Sequence, residues 1–407
     1  MQKEHILPRA AAIICEYNPF HRGHAYQLAA ARRDCNAEVI LCVMSEQLTQ
    51  RGEFAIADAY IRAEAATRCG ADLVVSLPFP WSGAAAEYFA AAGVFLATAL
   101  GASHLHFGSE CGDLPRLQRV AEAVSSPAFS ARLIQLQHTQ PELGVMEARD
   151  RVLRELLGCE SPDGSNDLLA LAYLCAIREQ CSPLIPVTIS RSGQAYRDDT
   201  PISDAAYASA SALRRLWREH GVSALQDTLP PACAAVLRRA ADSGLAPVCA
   251  DRIGTAAEVF FRRADAKALS CCAELGGGLA QRLISAAREG AYPDISAFIA
   301  AAATKRFTNA RIARAVWYGM CGVQPSDLRA MPAYTRLLAC NDKGKAYLRA
   351  IRKSTSLPIV TKPADLPTTP SAVRQGALEQ ALTDLYTLAL PTPRDAAYYL
   401  RAKPFLS

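Results

Sequence analysis

Residues 11–33 read AAIICEYNPFHRGHAYQLAAARR, a strand, a turn and a helix in one short stretch. Its first part, through Tyr17, is a short apolar run of strand length. From Arg22 onward, Ala25, Leu28 and Ala29 fall at helical spacing. Pro19 forbids continuing the strand, and Gly23 lets something come close to the backbone at the first helical turn. Two of the chain's seven histidines, His21 and His24, therefore stand at a strand-to-helix junction. A helix N-terminus presents free N–H groups and positive potential, which suits a phosphate. Imidazoles there can donate N–H bonds to phosphate oxygens as charge builds on them. No Walker lysine or glycine-rich phosphate loop is present, so the histidines must do that work.

The same alternation continues outward. AEVILCVM (37–44), ADLVVSLPF (71–79) and ASHLHFGSE (102–110) read as further buried strands. IADAYIRAEAATRCG (56–70) and SGAAAEYFAAAGVFLATALG (82–101) read as the helices between them, and LIPVTISRSG (184–193) as a fifth strand. Continuous apolar strands separated by helices predict an α/β fold, a Rossmann-like parallel sheet covered on both faces. Such sheets bind ligands at the carboxyl ends of their strands, where the unusual residues fall.

At 407 residues the chain should form two or three domains. We expect a catalytic domain over residues 1–220 and a mostly helical region over 221–407. The second region holds 24 Lys and Arg against 14 Asp and Glu, a balance that suits a polyanionic partner. Fourteen cysteines are scattered without a CxxC pair or zinc spacing, which fits buried thiols in a reducing cytosol. The N-terminal MQKEHILPRA carries no signal pattern, and the long apolar stretch around Ala84–Ala102 is broken by Glu87, so no membrane span is expected. The expected location is cytoplasmic.

Asn-Pro-Phe-His-Arg-Gly-His resembles the HxGH signature of the nucleotidylyltransferase superfamily. The longer EYNPFHRGHAYQL resembles one family within it, the tRNA(Met) cytidine acetate ligases. That resemblance implies activation of acetate by ATP to acetyl-adenylate. The acetyl group then passes to N4 of the wobble cytidine of elongator methionine tRNA. ATP contacts are implied along residues 14–27: Ile14, Cys15, Glu16, Tyr17, Asn18, Pro19, Phe20, His21, Arg22, Gly23, His24, Ala25, Tyr26 and Gln27. Further contacts are implied at Gly108, Asn166, Arg191 and Ser192, although Asn166 could also be an ordinary helix cap. Ser209, Ser211 and Arg214 resemble the element these transferases use to hold the leaving pyrophosphate, and Arg215 could substitute for Arg214. A plain capped helix is the alternative there. His21, His24, Ser209, Ser211 and Arg214 would carry the chemistry. Arg51, Glu53, Asp58 and Arg62 are either substrate contacts or a salt-bridged loop and cap.

Mg²⁺ would accompany the triphosphate without a dedicated protein site. For tRNA, the basic helix with Lys343, Lys345, Arg349 and Lys353 is the expected grip on phosphates. No membrane or DNA partner is expected. Glu46-Gln47 and Phe54 depart from the family pattern, where Gly-Asn and proline are usual. The alternative function is a small-molecule nucleotidylyltransferase acting on another acid or cofactor precursor.

Overall fold

The computed structural model describes residues 7–140, 143–158, 162, 164–190 and 209–407. β1 (Ala10–Cys15) enters the histidine turn and α1 (Arg22–Asp34) leaves it. There follow β2 (Val39–Ser45), α2 (Ala59–Arg68), β3 (Leu73–Leu77), α3 (Ala86–Ala99) and β4 (His104–Ser109). Every residue of β1, β2 and β3 is buried. Helices cover both sheet faces, which is why these strands read as unbroken apolar runs rather than as alternating ones.

β1 lies between β2 and β4 and runs parallel to both. The strand order is β5 (Ile185–Ser190), β4, β1, β2, β3, β6 (Thr335–Cys340), β7 (Ile359–Val360). The chain steps from β1 to one side for β2 and β3, then crosses back for β4. That reversal makes the carboxyl ends of β1 and β4 the switch point, where an open parallel sheet leaves a crevice. α4 (Leu114–Val124), α5 (Pro127–Thr139), α6 (Val145–Leu157) and α7 (Ser165–Glu179) lead to β5 (Ile185–Ser190), parallel to β4 at the sheet edge.

Beyond residue 208 come α8 (Ala210–His220), α9 (Pro231–Asp242), α10 (Gly254–Arg263) and α11 (Ala266–Ser270). After them lie α12 (Leu279–Glu289), α13 (Ile295–Ala302), α14 (Asn309–Cys321) and α15 (Pro325–Arg329). β6 (Thr335–Cys340), α16 (Asp342–Ile351), β7 (Ile359–Val360), α17 (Pro370–Leu388) and β8 (Phe405–Leu406) complete the chain. The helices are packed around Phe261, Leu283, Phe298 and Trp317, and α17 adds Leu382 and Tyr386. Leu48, Phe54 and Phe79 from the first half lie in the same core. The region expected to be helical also returns to the sheet: β6 pairs antiparallel with β3, and β7 and β8 pair with β6. The two halves therefore share both a sheet and a core across residue 220.

Candidate active site

His21 is the N-cap of α1, with extended backbone (φ −143°, ψ 176°). Its Nδ1 accepts a hydrogen bond from the Gly23 N–H at 3.1 Å, and the His24 Nδ1 accepts from the His21 N–H at 3.3 Å. The two rings stack at 3.7 Å between centroids. This is a capping box built from imidazoles. It fixes the tautomer: with Nδ1 accepting, the neutral ring carries its proton on Nε2, so each histidine becomes an Nε2–H donor at a helix N-terminus. Tyr17 and Phe20 pack edge to face at 4.9 Å and lean on His24, holding the pair from below.

The rest of the turn is pinned by its neighbours. Arg62 is fully buried, and its guanidinium donates to the carbonyls of Ala57 and Ser45 at 2.8 Å, and to those of Glu16 and Glu46. It ties the carboxyl ends of β1 and β2 together, and Asp58 caps α2 through the Ile61 N–H. For Arg62 and Asp58 these contacts are those of a tied loop and a helix cap. Asn18 Oδ1 accepts from the Ile56 N–H at 2.8 Å, and Glu16 accepts from the Gln50 N–H at 2.7 Å. Burial pushes the Glu16 carboxyl above its ordinary value, against that hydrogen bond and the charges of Arg214 and Arg62.

Arg214 reaches this turn from α8. Its guanidinium donates to the Asn18 carbonyl at 2.9 Å and pairs with Glu53 at 2.6 Å, with Ser211 Oγ at 3.4 Å. Ser209 caps α8 through the Ala212 N–H at 3.2 Å. It is Arg214, not Arg215, that meets the histidine turn. Gly108 lies near the end of β4, paired with Ile189. Just beyond it Glu110 accepts from the Asn166 N–H at 3.1 Å and the Asp167 N–H at 2.7 Å, while Asp167 accepts in return from the Glu110 N–H at 2.8 Å. Asn166 thus belongs to a reciprocal lock between β4 and α7. Burial raises the Glu110 carboxyl, but these hydrogen bonds outweigh it and the net direction is down. Ile14 and Cys15 are buried at the end of β1, whereas Arg22 is exposed and Ala25, Tyr26 and Gln27 are half-buried on α1. Arg191 and Ser192 lie outside the described residues.

Sequence reasoning missed one feature. A cavity of about 510 Å³ opens beside the β2–α2 loop, bounded by that loop, α8, α13 and α14. Phe54, Ile295, Ile299 and Ala313 line it together with Arg51, Arg214, Arg215 and Arg218. Its arginines come from two segments 160 residues apart in the chain, with no local motif to join them. By contrast, the expected tRNA helix α16 starts where β6 leaves the sheet. Its cap Asn341 donates through Nδ2 to Asp72, just before β3, at 2.9 Å. That is the amino-terminal edge of the parallel strands, opposite the histidine turn. Lys343, Arg349 and Lys353 are exposed there. Lys345 bonds Asp342 at 3.0 Å and the Ser407 carbonyl at 2.8 Å.

Among the described residues, no group of three or more His, Cys, Asp or Glu could hold a metal ion, and no helix is long and apolar enough to cross a membrane.

A parallel sheet with an imidazole pair at the helix start beside its switch point defines a nucleotidyl transferase. A family model described as HIGH Nucleotidyl Transferase matches residues 9–398. A tRNA(Met) cytidine acetate ligase of Syntrophotalea carbinolica is 36% identical over 367 residues, 87% of this chain and 84% of that protein. Another, of Acetivibrio thermocellus, is 30% identical and covers 95% of this chain and 96% of its own. The crystal structure of Thermotoga maritima TmcAL bound with alpha-thio ATP matches with a TM-score of 0.88 at 28% identity, over 98% of this chain and 99% of that one. The chain belongs to the HIGH nucleotidyl transferase family, among its tRNA(Met) cytidine acetate ligases.

Proposed function

We propose that this protein is an ATP-dependent ligase that makes acetyl-adenylate and transfers the acetyl group to N4 of the wobble cytidine of elongator tRNA(Met). The observation that carries the reading is the imidazole capping box: two Nε2–H donors fixed at a helix N-terminus at the carboxyl end of β1. The names of its relatives supply the acid and the RNA.

In the first step an acetate oxygen attacks the α-phosphorus of ATP in line, and the bond from that phosphorus to the pyrophosphate oxygen breaks. Negative charge moves to the non-bridging and leaving oxygens. His21 and His24 stabilise it with preorganised donors, while Arg214 and Ser211 hold the leaving pyrophosphate. Ser209 keeps the start of α8 in place. Gly108 and Asn166 would complete the nucleotide seat on the β4 side, and the family resemblance adds Arg191 and Ser192 to it. In the second step N4 of cytidine attacks the acetyl carbon, the carbon–oxygen bond to AMP breaks, and N4 gives up one proton to solvent. Mg²⁺ would be held by the phosphates and water, since the nearby carboxylates Glu16 and Glu53 are engaged by Gln50 and Arg214.

Pyrophosphate exchange into ATP tests the first step. It should depend on acetate and vanish without it. Exchange driven by a different acid, with none from acetate, would leave the small-molecule transferase as the better function.

A further inference from the structure

The geometry points to a second subsite: we propose that the cavity beside the β2–α2 loop receives a nucleotide extruded from the RNA, with its base on the apolar floor and its flanking phosphates on Arg51, Arg215 and Arg218. The proposal deepens the RNA-ligase reading and rests on it.

Position comes first. The triphosphate nucleotide belongs at the switch point, on the β4 side of β1. The cavity lies on the other side of β1, over the loop that follows β2. Arg214 stands between the two. It lines the cavity, pairs with Glu53 of the cavity wall, and donates to Asn18 in the histidine turn. An acceptor seated in the cavity therefore meets the activated acyl group across one guanidinium.

Chemistry agrees. The exposed edges of Phe54, Ile295 and Ala313, with Ile299, form the apolar part of a lining that also holds Glu53 and Asp251, and that apolar part suits the face of a base taken out of its stack. Arg51, Arg215 and Arg218 are exposed at the rim. Among the described residues none of them has a carboxylate partner, whereas Arg214 does. The first turn of α14, capped by Thr308, also faces the cavity through Asn309 and Ala310 and adds the positive end of a helix. Unpaired guanidiniums around an apolar floor suit a nucleotide better than a neutral small molecule. A volume of about 510 Å³ is ample for one nucleotide.

The test uses the whole protein with ATP, acetate and unmodified elongator tRNA(Met). Two variants are compared: Arg51→Ala with Arg218→Ala, and Ala310→Phe, which fills the cavity from the exposed start of α14. Acetate-dependent pyrophosphate exchange should stay within about twofold of the unaltered protein in both, because neither change touches the histidine turn. Acetyl transfer to tRNA should fall by about tenfold or more in both. The arginine variant should also flatten the salt dependence of tRNA binding by about one unit per lost phosphate contact. Loss of exchange together with transfer would make the cavity part of the triphosphate site and overturn the proposal. Normal transfer by Ala310→Phe would overturn it as well. If the unaltered protein acetylates no tRNA, the proposal falls together with the reading beneath it; if it does and both variants match it, the proposal falls alone.

Discussion

Gly52 has φ +77°, and a Cβ built on it would lie 2.7 Å from the Arg314 backbone nitrogen. The loop lies directly on α14, and the Trp317 indole donates to the Gly52 carbonyl at 2.8 Å. Gly52→Ala should therefore cost about 1–3 kcal/mol of stability, read as a lowered Tm, since both the backbone and the contact resist it. An unchanged Tm would mean that the loop is not docked this way. Phe54, the departure from proline, is explained by the same partner: it stacks on Trp317 at 4.5 Å and touches Tyr386 at 5.3 Å. The histidines were legible from sequence because strand, proline, glycine and helix stand in one short stretch. Their tautomer was not, because it depends on which backbone N–H each ring meets. His24→Ala should cost roughly 2–4 kcal/mol in the transition state of adenylate formation, far more than in ATP binding. Full exchange activity in His21→Ala and His24→Ala would remove them from the chemistry.

At the scale of elements, the strands and helices of the first 110 residues could be read because apolar runs and helical spacing alternate without interruption. β6 could not. Its sequence TRLLAC carries Arg336 as the second residue, a side chain that argues against burial. The structure resolves this with α17, the longest helix, whose Glu379 pairs with Arg336 at 2.8 Å deep in the interior. Only the tertiary fold brings these two residues together. Glu46, just beyond the end of β2, is fully buried against the same pair. Burial, and then the charge of Glu379, push its carboxyl up from 4.5 to about 8. The native state therefore holds a proton that the unfolded chain releases near pH 4–5. This site therefore lowers stability as pH rises from about 4.5 through 8. Glu46→Gln should flatten that fall and raise the Tm at pH 8 relative to pH 5. A Tm–pH profile identical to that of the unaltered protein would contradict the assignment. Glu379→Ala should cost about 3–5 kcal/mol, because it leaves Arg336 buried and unpaired.

Across the whole molecule, basic side chains lie on two separate surfaces, one supplied by the basic second half and the other by arginines of residues 1–220, whose overall balance is acidic. Lys343, Arg349 and Lys353 lie by the amino-terminal edge of the sheet, and the arginine-rimmed cavity lies by the carboxyl edge. Composition could reveal the imbalance but not the edge on which each charge sits. Charge reversal at Lys343, Arg349 and Lys353 should weaken tRNA binding and flatten its salt slope by about one unit per contact, with acetyl-adenylate formation intact. An unaltered slope would leave the grip to other cations. One chain is expected both to activate the acid at the histidine turn and to deliver it to RNA. Mass spectrometry of nucleosides from unmodified elongator tRNA(Met), incubated with the purified protein, ATP and isotopically labelled acetate, measures both steps at once. The expected result is labelled N4-acetylcytidine at the wobble position, dependent on ATP and abolished in His24→Ala. Acetate-dependent pyrophosphate exchange with no labelled nucleoside would show that the protein activates acetate but does not deliver it to this tRNA.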